Sequence, residues 1–488
     1  MTFRRAIPFL LILASVACRS ADAPAASASA GNGGGRGRLV VRTPEAVTTA
    51  MLDDLQRRTF DWFWETTNAA NGLVRDRWPT PSFSSIAAVG FGLTAYPVGV
   101  ERGWITREQA RERVLTTLEF FRNAPAGPAA RGMSGYKGFF YHFLDMQTGE
   151  RFQTVELSTI DTTLLLAGAL FCQSYFDQDH PDEARIRDLA EELYRNADWT
   201  FFLPRPPRIA MGWTPEGGFG IADWHGLNEA SILYILALGS PTHPVGPESW
   251  EIWTSTYQWR SYYGYEHVNF APLFGHQFSH VWIDFRGIQD EYLRAKGIDF
   301  FENSRRAVLS QRAYAIDNPA GWRWYGEDLW GLSASDGPGD GSAVIDGKTR
   351  AFMGYAARGA AATEVRDDGT ITPMAAAASL PFAPEVVIPA IEEMRDRYGS
   401  VLYQRYGFLD AFNPTLTRPP GFRLEHGTID PELGWINPDY LGIDQGPIVA
   451  MIENYRTGLI WNVMKKNPHI VRGLRRAGFS GGWLDQVP

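Results

Sequence analysis

Two kinds of helical pattern alternate along this chain. Stretches 107–122, 181–202, 288–311 and 384–398 set apolar residues at roughly helical spacing beside a charged face, as in helices half exposed to water. Stretches 84–100, 158–176, 228–240 and 444–452 carry almost no charge, and a helix apolar on every side belongs in an interior. These uncharged stretches are too short or too interrupted to span a bilayer, and Pro97 is expected to break the first. In the first half the two kinds take turns: uncharged 84–100 precedes charged 107–122, and uncharged 158–176 precedes charged 181–202. An inner ring of buried helices wrapped by an outer ring of amphipathic ones produces that order. The expected fold is all-α, an (α/α)6 toroid over residues 43–488. Strand-like alternation is weak, and no short repeat is visible.

Three of the uncharged stretches open on an acid: Asp161, Glu229 and Asp444. Buried acids are rare unless paired or functional. In a toroid of successive hairpins all inner helices run parallel, so acids at their starts converge on one mouth. Long connections at 132–154, 211–227, 262–280 and 321–341 are rich in Gly, Trp, Tyr and His, and long loops inside a compact domain are commonly functional. With 17 Trp, 19 Tyr and 29 Phe, the chain has many rings able to stack on the apolar face of a sugar. The pattern points to a carbohydrate-active enzyme.

Charge narrows the partners. The net charge of −9 argues against nucleic acid or an anionic membrane surface. Residues 1–17 read as a signal peptide: Arg4 and Arg5 precede an apolar run from Ile7 to Val16. Ser-Val-Ala-Cys at 15–18 resembles a bacterial lipoprotein box, which makes Cys18 the expected lipidation site. Ordinary secretion is the alternative. Membrane contact is expected only through that lipid, on an outer-membrane-anchored or periplasmic protein of a Gram-negative bacterium. Residues 18–42, rich in Ala, Ser and Gly, read as a flexible tether. The only other cysteine, Cys172, lies in an uncharged stretch as a buried thiol, so neither a disulfide framework nor a Cys-based metal site follows.

Six stretches carry a resemblance: SIAAVGFGLTAYPVGVERGWI (85–105), ELSTIDTTLLLAGAL (156–170), WHGLNEASILYILALGSPTHP (224–244), APLFGHQFSHVWIDFRGI (271–288), SASDGP (333–338) and YLGIDQGPIVAMIENYRTGLIW (440–461). In this order they resemble the bacterial glucoamylase-like domain, and more closely glycoside hydrolase family 144, the β-1,2-glucanases. The resemblance implies an (α/α)6 barrel, an anomer-inverting mechanism, no required metal and a β-1,2-linked glucan as substrate; separately, a monomer without a cofactor is expected. It assigns Glu229, in Asn-Glu-Ala, the role of general acid, and places Asp444, in Gly-Ile-Asp-Gln-Gly-Pro, on the base side.

Each assignment has a plainer alternative. Asn228 is a good N-cap, and Glu229 in a first turn would complement the helix dipole, which lowers a carboxyl pKa when a general acid needs it raised. Asp444 is itself a candidate N-cap ahead of Gly446 and Pro447. Asp161 follows Ser158 by three, as in a capping box; with Glu156 it is taken as a substrate-binding or auxiliary acid. Asp336 sits in an evident turn. His276 and His280, four apart, lack a third metal ligand, so structural or sugar-binding roles are favoured. Trp213, Phe219, Trp224, Tyr265, Trp324, Tyr325 and Trp330 lie in loops, where about half are expected to touch sugar and the rest to pin the loops down. Arg286 is expected either to bind sugar or to form an internal ion pair. Two other functions remain open: a polysaccharide lyase on the same fold, and a non-catalytic glycan-binding lipoprotein of an uptake system.

Overall fold

The computed structural model describes residues 44–488; the expected signal segment, Cys18 and the whole tether lie outside the described residues. Fifteen α-helices dominate the described residues. They are α1 (Pro44–Thr66), α2 (Ile86–Glu101), α3 (Arg107–Asn123), α4 (Thr159–Tyr175), α5 (Pro181–Asn196), α6 (Ser231–Gly239), α7 (Glu248–Thr254), α8 (Phe278–Trp282), α9 (Glu291–Lys296), α10 (Phe300–Asp317), α11 (Pro373–Ala377), α12 (Pro384–Tyr398), α13 (Gly442–Arg456), α14 (Leu459–Met464) and α15 (Pro468–Arg476).

The inner ring is α2, α4, α6, α8, α11 and α13, and its closure can be followed contact by contact. Helices α2 and α4 touch backbone to backbone: a Cβ on Gly90 would lie 2.1 Å from the Leu164 carbonyl oxygen, and one on Gly168 would lie 2.2 Å from that of Gly90. Helix α4 packs on α6. The Ser279 hydroxyl of α8 accepts from the Ile232 amide of α6 and donates to the Glu229 carbonyl. Gln277, at the start of α8, donates to Ala375 and Ser379 of the α11 turn. Helix α11 packs on α13, and α13 on α2. The inner members α2, α4, α6 and α13 are buried along most of their length, as their lack of charge requires. Outside them lie α1, α3, α5, α7, α10 and α12, each preceding its inner partner in the chain, which completes an (α/α)6 toroid.

The bore is not open. Phe91 of α2 packs on Phe278 and Trp282 of α8, and the Trp282 indole donates to Thr94 across the ring. Below them α14 and α15 cross the C-terminal ends of the inner helices. The Trp461 indole donates to the His280 carbonyl, and Asn467 donates to Ser174 beside the end of α4. Arg472 and Arg476 donate to the Gly239 and Leu238 carbonyls at the end of α6, where unsatisfied carbonyls and the negative helix pole favour cations.

The opposite, N-terminal rim is stitched by two- and three-residue ladders. Ser84–Ser85 pairs with Phe143–Leu144, Leu157–Ser158 with Gly212–Thr214, and Arg77–Trp78 with Tyr440–Leu441, immediately before α2, α4 and α13 respectively. Ladders this short leave little period-two pattern, which agrees with the weak alternation in the sequence. Three expected boundaries shift. Pro97 lies inside α2, which runs on to Glu101. Stretch 181–202 ends its helix at Asn196 and resumes as a single 3-10 turn capped by Asp198. Stretch 288–311 is two helices, α9 ended by Gly297 in the left-handed region and α10 capped by Asp299.

Candidate active site

A cleft of about 350 Å³ opens at the N-terminal rim. The acids Glu156, Asp161 and Glu229 line it together with the rings Trp213, Phe219 and Trp224, so six expected site residues meet there. Asp444 and Asp336 are buried and do not line the cleft themselves; Arg77, which does, pairs with Asp336.

Glu229 does not sit in a helical turn. Helix α6 starts at Ser231, and Asn228 accepts from the Ala230 amide in a tight turn instead of capping the helix. Glu229 is 7 % exposed, and its Oε2 is buried with no hydrogen-bond partner. Burial, reinforced by the charge of Asp161, pushes its pKa up to about 7. Desolvation wins over the backbone hydrogen bond that opposes it, so the carboxyl holds a proton in a good share of molecules at neutral pH.

Asp161, in the first turn of α4, is capped as expected. Ser158 accepts from its amide at 3.1 Å, and the Ser158 hydroxyl bonds its carboxylate. Facing it is His142, which sequence reasoning missed: its Nδ1 lies 2.9 Å from Glu156 and its Nε2 3.5 Å from Asp161. Burial works against its charge, but Asp161 and Glu156 outweigh burial and push its pKa up to about 9, so it is an imidazolium at neutral pH. Against this cation Glu156 is held below the usual carboxylate range although burial opposes it. For Asp161 burial prevails and raises the pKa.

The second cluster forms where the rim ladders meet. Arg77 donates to Asp336 at 2.7 Å and to Asp76 at 3.2 Å, and lies 3.9 Å from Asp439. Asn437 donates to both Asp336 (2.9 Å) and Asp410 (3.0 Å). Asp444 is the third residue of α13, whose N-cap is Leu441, so the expected capping role is not what it performs. Burial, then the neighbouring Asp410, raises Asp444 well above the ordinary carboxyl range. Tyr355, 37 % exposed at the mouth, faces this group. Burial and the negative field of Asp444, Asp410, Asp76 and Asp336 hold its hydroxyl protonated.

The remaining expected binders lie elsewhere. His276 Nε2 donates to the Phe270 carbonyl, and His280 Nε2 shares a hydrogen bond with the Ser304 hydroxyl; burial drives both down to about 3, so both are neutral internal groups. Arg286 forms a two-pronged pair with Asp284 (2.7 and 2.8 Å) over the ring of Trp461, beside the closed end of the toroid. Tyr265 belongs to the hairpin Trp259–Tyr262/Tyr265–Val268. Trp324 is sandwiched between Arg323 and Arg397, Trp330 is fully buried, and the Tyr325 hydroxyl donates to Asp367. These rings pin loops. Asp336, set in a turn by the sequence, is 2 % exposed and held by Arg77 and Asn437. Among the described residues no group of three or more His, Cys, Asp or Glu is placed to hold a metal ion.

One consequence concerns pH. Asp161→Asn removes a negative neighbour of Glu229, so the Glu229 pKa falls from about 7. The alkaline limb of any rate that needs the protonated acid then moves to lower pH. A pH–kcat profile of the variant checks this, and an unmoved limb would show that Asp161 does not act on Glu229.

Fold and cleft together define a helical-toroid protein with an acid-lined, aromatic-walled site at the start of its inner helices. Residues 222–468, half of the chain, match the family described as "Putative glucoamylase", and the chain belongs to that family. The structure is similar to that of a "putative glucoamylase" from Bacteroides uniformis, at 34 % identity and a TM-score of 0.76, over 90 % of this chain and 99 % of that one. It is similar to the endo-β-1,2-glucanase from Chitinophaga pinensis in complex with sophorotriose and glucose, at 27 % identity and a TM-score of 0.74, over 89 % and 99 % of the two chains. A curated relative is the exo β-1,2-glucooligosaccharide sophorohydrolase (non-reducing end) of Parabacteroides distasonis, 29 % identical over 464 residues. That alignment covers 87 % of this chain and 57 % of the relative, so the chain spans little more than half of that protein's length. The resemblance to glycoside hydrolase family 144 read from the motifs holds.

Proposed function

We propose that this protein hydrolyses β-1,2-linked glucan with inversion of anomeric configuration, with Glu229 as general acid and Asp444 on the base side. The observation that carries the reading is Glu229 itself, a carboxyl still partly protonated at neutral pH, with a free oxygen in the wall of an aromatic cleft. An inverting hydrolase needs such an acid on one side of the scissile bond and a base able to activate water on the other. Through Asp76 and Arg77, which line the same cleft, the Asp444 cluster adjoins the site. Trp213 and Phe219 offer faces for the pyranose rings, and the half-exposed Glu156 offers a hydroxyl acceptor. The names of the relatives supply the linkage.

The lyase alternative is weaker. Neutralising a uronate needs an available cation, and the two cations in the cleft wall, His142 and Arg77, are already paired with carboxylates. Incubation with linear β-1,2-glucan tests the proposal, with products followed by size and by proton NMR at early times. The expected result is sophoro-oligosaccharides that emerge as the α-anomer. No release, early β-anomer, or ultraviolet-absorbing unsaturated products would each overturn it.

A further inference from the structure

Asp410 was not among the residues the sequence marked out. It lies just before the short strand Phe412–Asn413, 34 positions ahead of Asp444 in the numbering, and is 2 % exposed. Its Oδ2 is fully engaged, accepting from the Asp336 amide at 2.9 Å and from Asn437 Nδ2 at 3.0 Å. Its Oδ1 is buried and has no donor; Asp444 Oδ2 is in the same condition. The two carboxyls lie within hydrogen-bonding reach of each other. Two ionised carboxylates cannot hydrogen-bond, and Asp410 Oδ1 and Asp444 Oδ2 are both buried without another partner, so the contact is favourable only with a proton between them.

The surroundings agree. The charged and titratable groups facing the pair are Asp336, Asp76, Arg77, Arg358 and Tyr355. Arg77 is spent on Asp336 and Asp76, and Arg358 on Asp368. No cation is left over to neutralise a second charge on the pair. Burial, above all, moves Asp410 up to about 6, whereas Asp444, raised further by Asp410, keeps its proton to higher pH. Near neutral pH the pair therefore carries one proton and one negative charge.

The geometry points to Asp410 as a positioning residue for the reaction proposed above, holding one proton in common with Asp444 so that the two act as a single base. The inference rests on the base-side reading of Asp444. In the step, the water oxygen bonds the anomeric carbon and a water proton passes to the singly protonated pair. The glycosidic C–O bond breaks, and its oxygen takes the proton of Glu229. The pair then releases a proton to solvent, and Glu229 regains one. No electrons are transferred. An isolated buried Asp444, kept protonated by desolvation, would be a poor acceptor; the charge shared with Asp410 makes it one.

The test is a double-mutant cycle in kcat on β-1,2-glucan, with melting as a control for folding. Asp444→Asn is expected to lower kcat by about 10²–10⁴-fold. Asp410→Asn, whose amide oxygen can still accept from the Asp336 amide, is expected to lower kcat by about tenfold or more with KM within about twofold. The double variant should be no worse than Asp444→Asn alone, because residues acting as a unit are lost only once. A second readout is the infrared carbonyl band of a neutral carboxylic acid, recorded in a Glu229→Gln background. That band should persist to higher pH with Asp410 present than in Asp410→Asn. Should Asp410→Asn fail to fold, Asp444→Asn carries the infrared test in the same form. Normal kcat in Asp410→Asn, multiplicative losses in the double variant, or identical titration of the band would each overturn the shared proton while leaving Asp444 as a base. Near-normal kcat in Asp444→Asn would overturn the base assignment, and the inference with it.

Discussion

A Glu229→Gln variant is expected to lose about 10²–10⁴-fold in kcat on β-1,2-glucan and to bind the glucan about as well as the wild type. The amide keeps the size and much of the hydrogen bonding of the acid but cannot deliver a proton. The structure sharpens the expectation, because Glu229 lies outside α6 and bonds no donor through Oε2. A structural role therefore has little to lose. Replacing a buried, partly protonated carboxyl by a neutral amide should leave the melting temperature level or slightly raised. Initial rates at saturating substrate, with binding measured by calorimetry, decide the matter. Rates within a few-fold of wild type in a folded variant would remove Glu229 from the chemistry.

The largest expected loss of stability comes from Arg358, which never touches the cleft. It is fully buried and pairs with Asp368 through two prongs at 2.7 and 2.9 Å. Its other donors reach the carbonyls of Ser335, Asp336, Met353 and Gly354. One guanidinium thus ties the segment that carries Asp336 to the segment that carries Tyr355. A Cβ on Gly337 would come within 2.1 Å of it, so the chain wraps it closely. Arg358→Met strands the buried carboxylate of Asp368, and breaking a buried pair from one side costs about 3–5 kcal/mol. Denaturant midpoints should show a loss of that order. Removing both partners with Arg358→Met/Asp368→Leu should recover part of it, since the stranded charge is gone. A single variant as stable as the wild type would show that the pair is not what holds these segments.

The ring of helices was legible because its cause is local. An inner helix must be apolar on all sides and an outer one on a single side, and both patterns are written in consecutive residues. Helix α12 was read at both ends, where Pro384 can begin a helix and Gly399 can leave one. The break between α9 and α10 was missed although Gly297 and Asp299 supply its stop and start. Glu229, Asp161 and Asp444 stood out as charges in apolar surroundings. His142, Asp76, Arg77 and Asp410 did not, because each sits in a loop or two-residue strand of unremarkable composition. What gathers them is the pairing of distant ladders: Arg77 meets Asp336 across 259 positions. The aromatic loops gave a mixed signal for the same reason. Trp213 and Trp330 look alike in sequence, and only the packing makes one a wall of the cleft and the other part of the core.

The packing of Phe91, Phe278 and Trp282 across the bore, with α14 and α15 beneath, governs traffic. A ring open at both ends could be threaded by a polymer and could pass its fragments out at the rear. This one is a cup. Whatever enters the N-terminal mouth must leave by it, so under the proposed hydrolysis a long chain can only lie across the rim or dip one end into the cup, and each severed piece has to back out past the chain that delivered it.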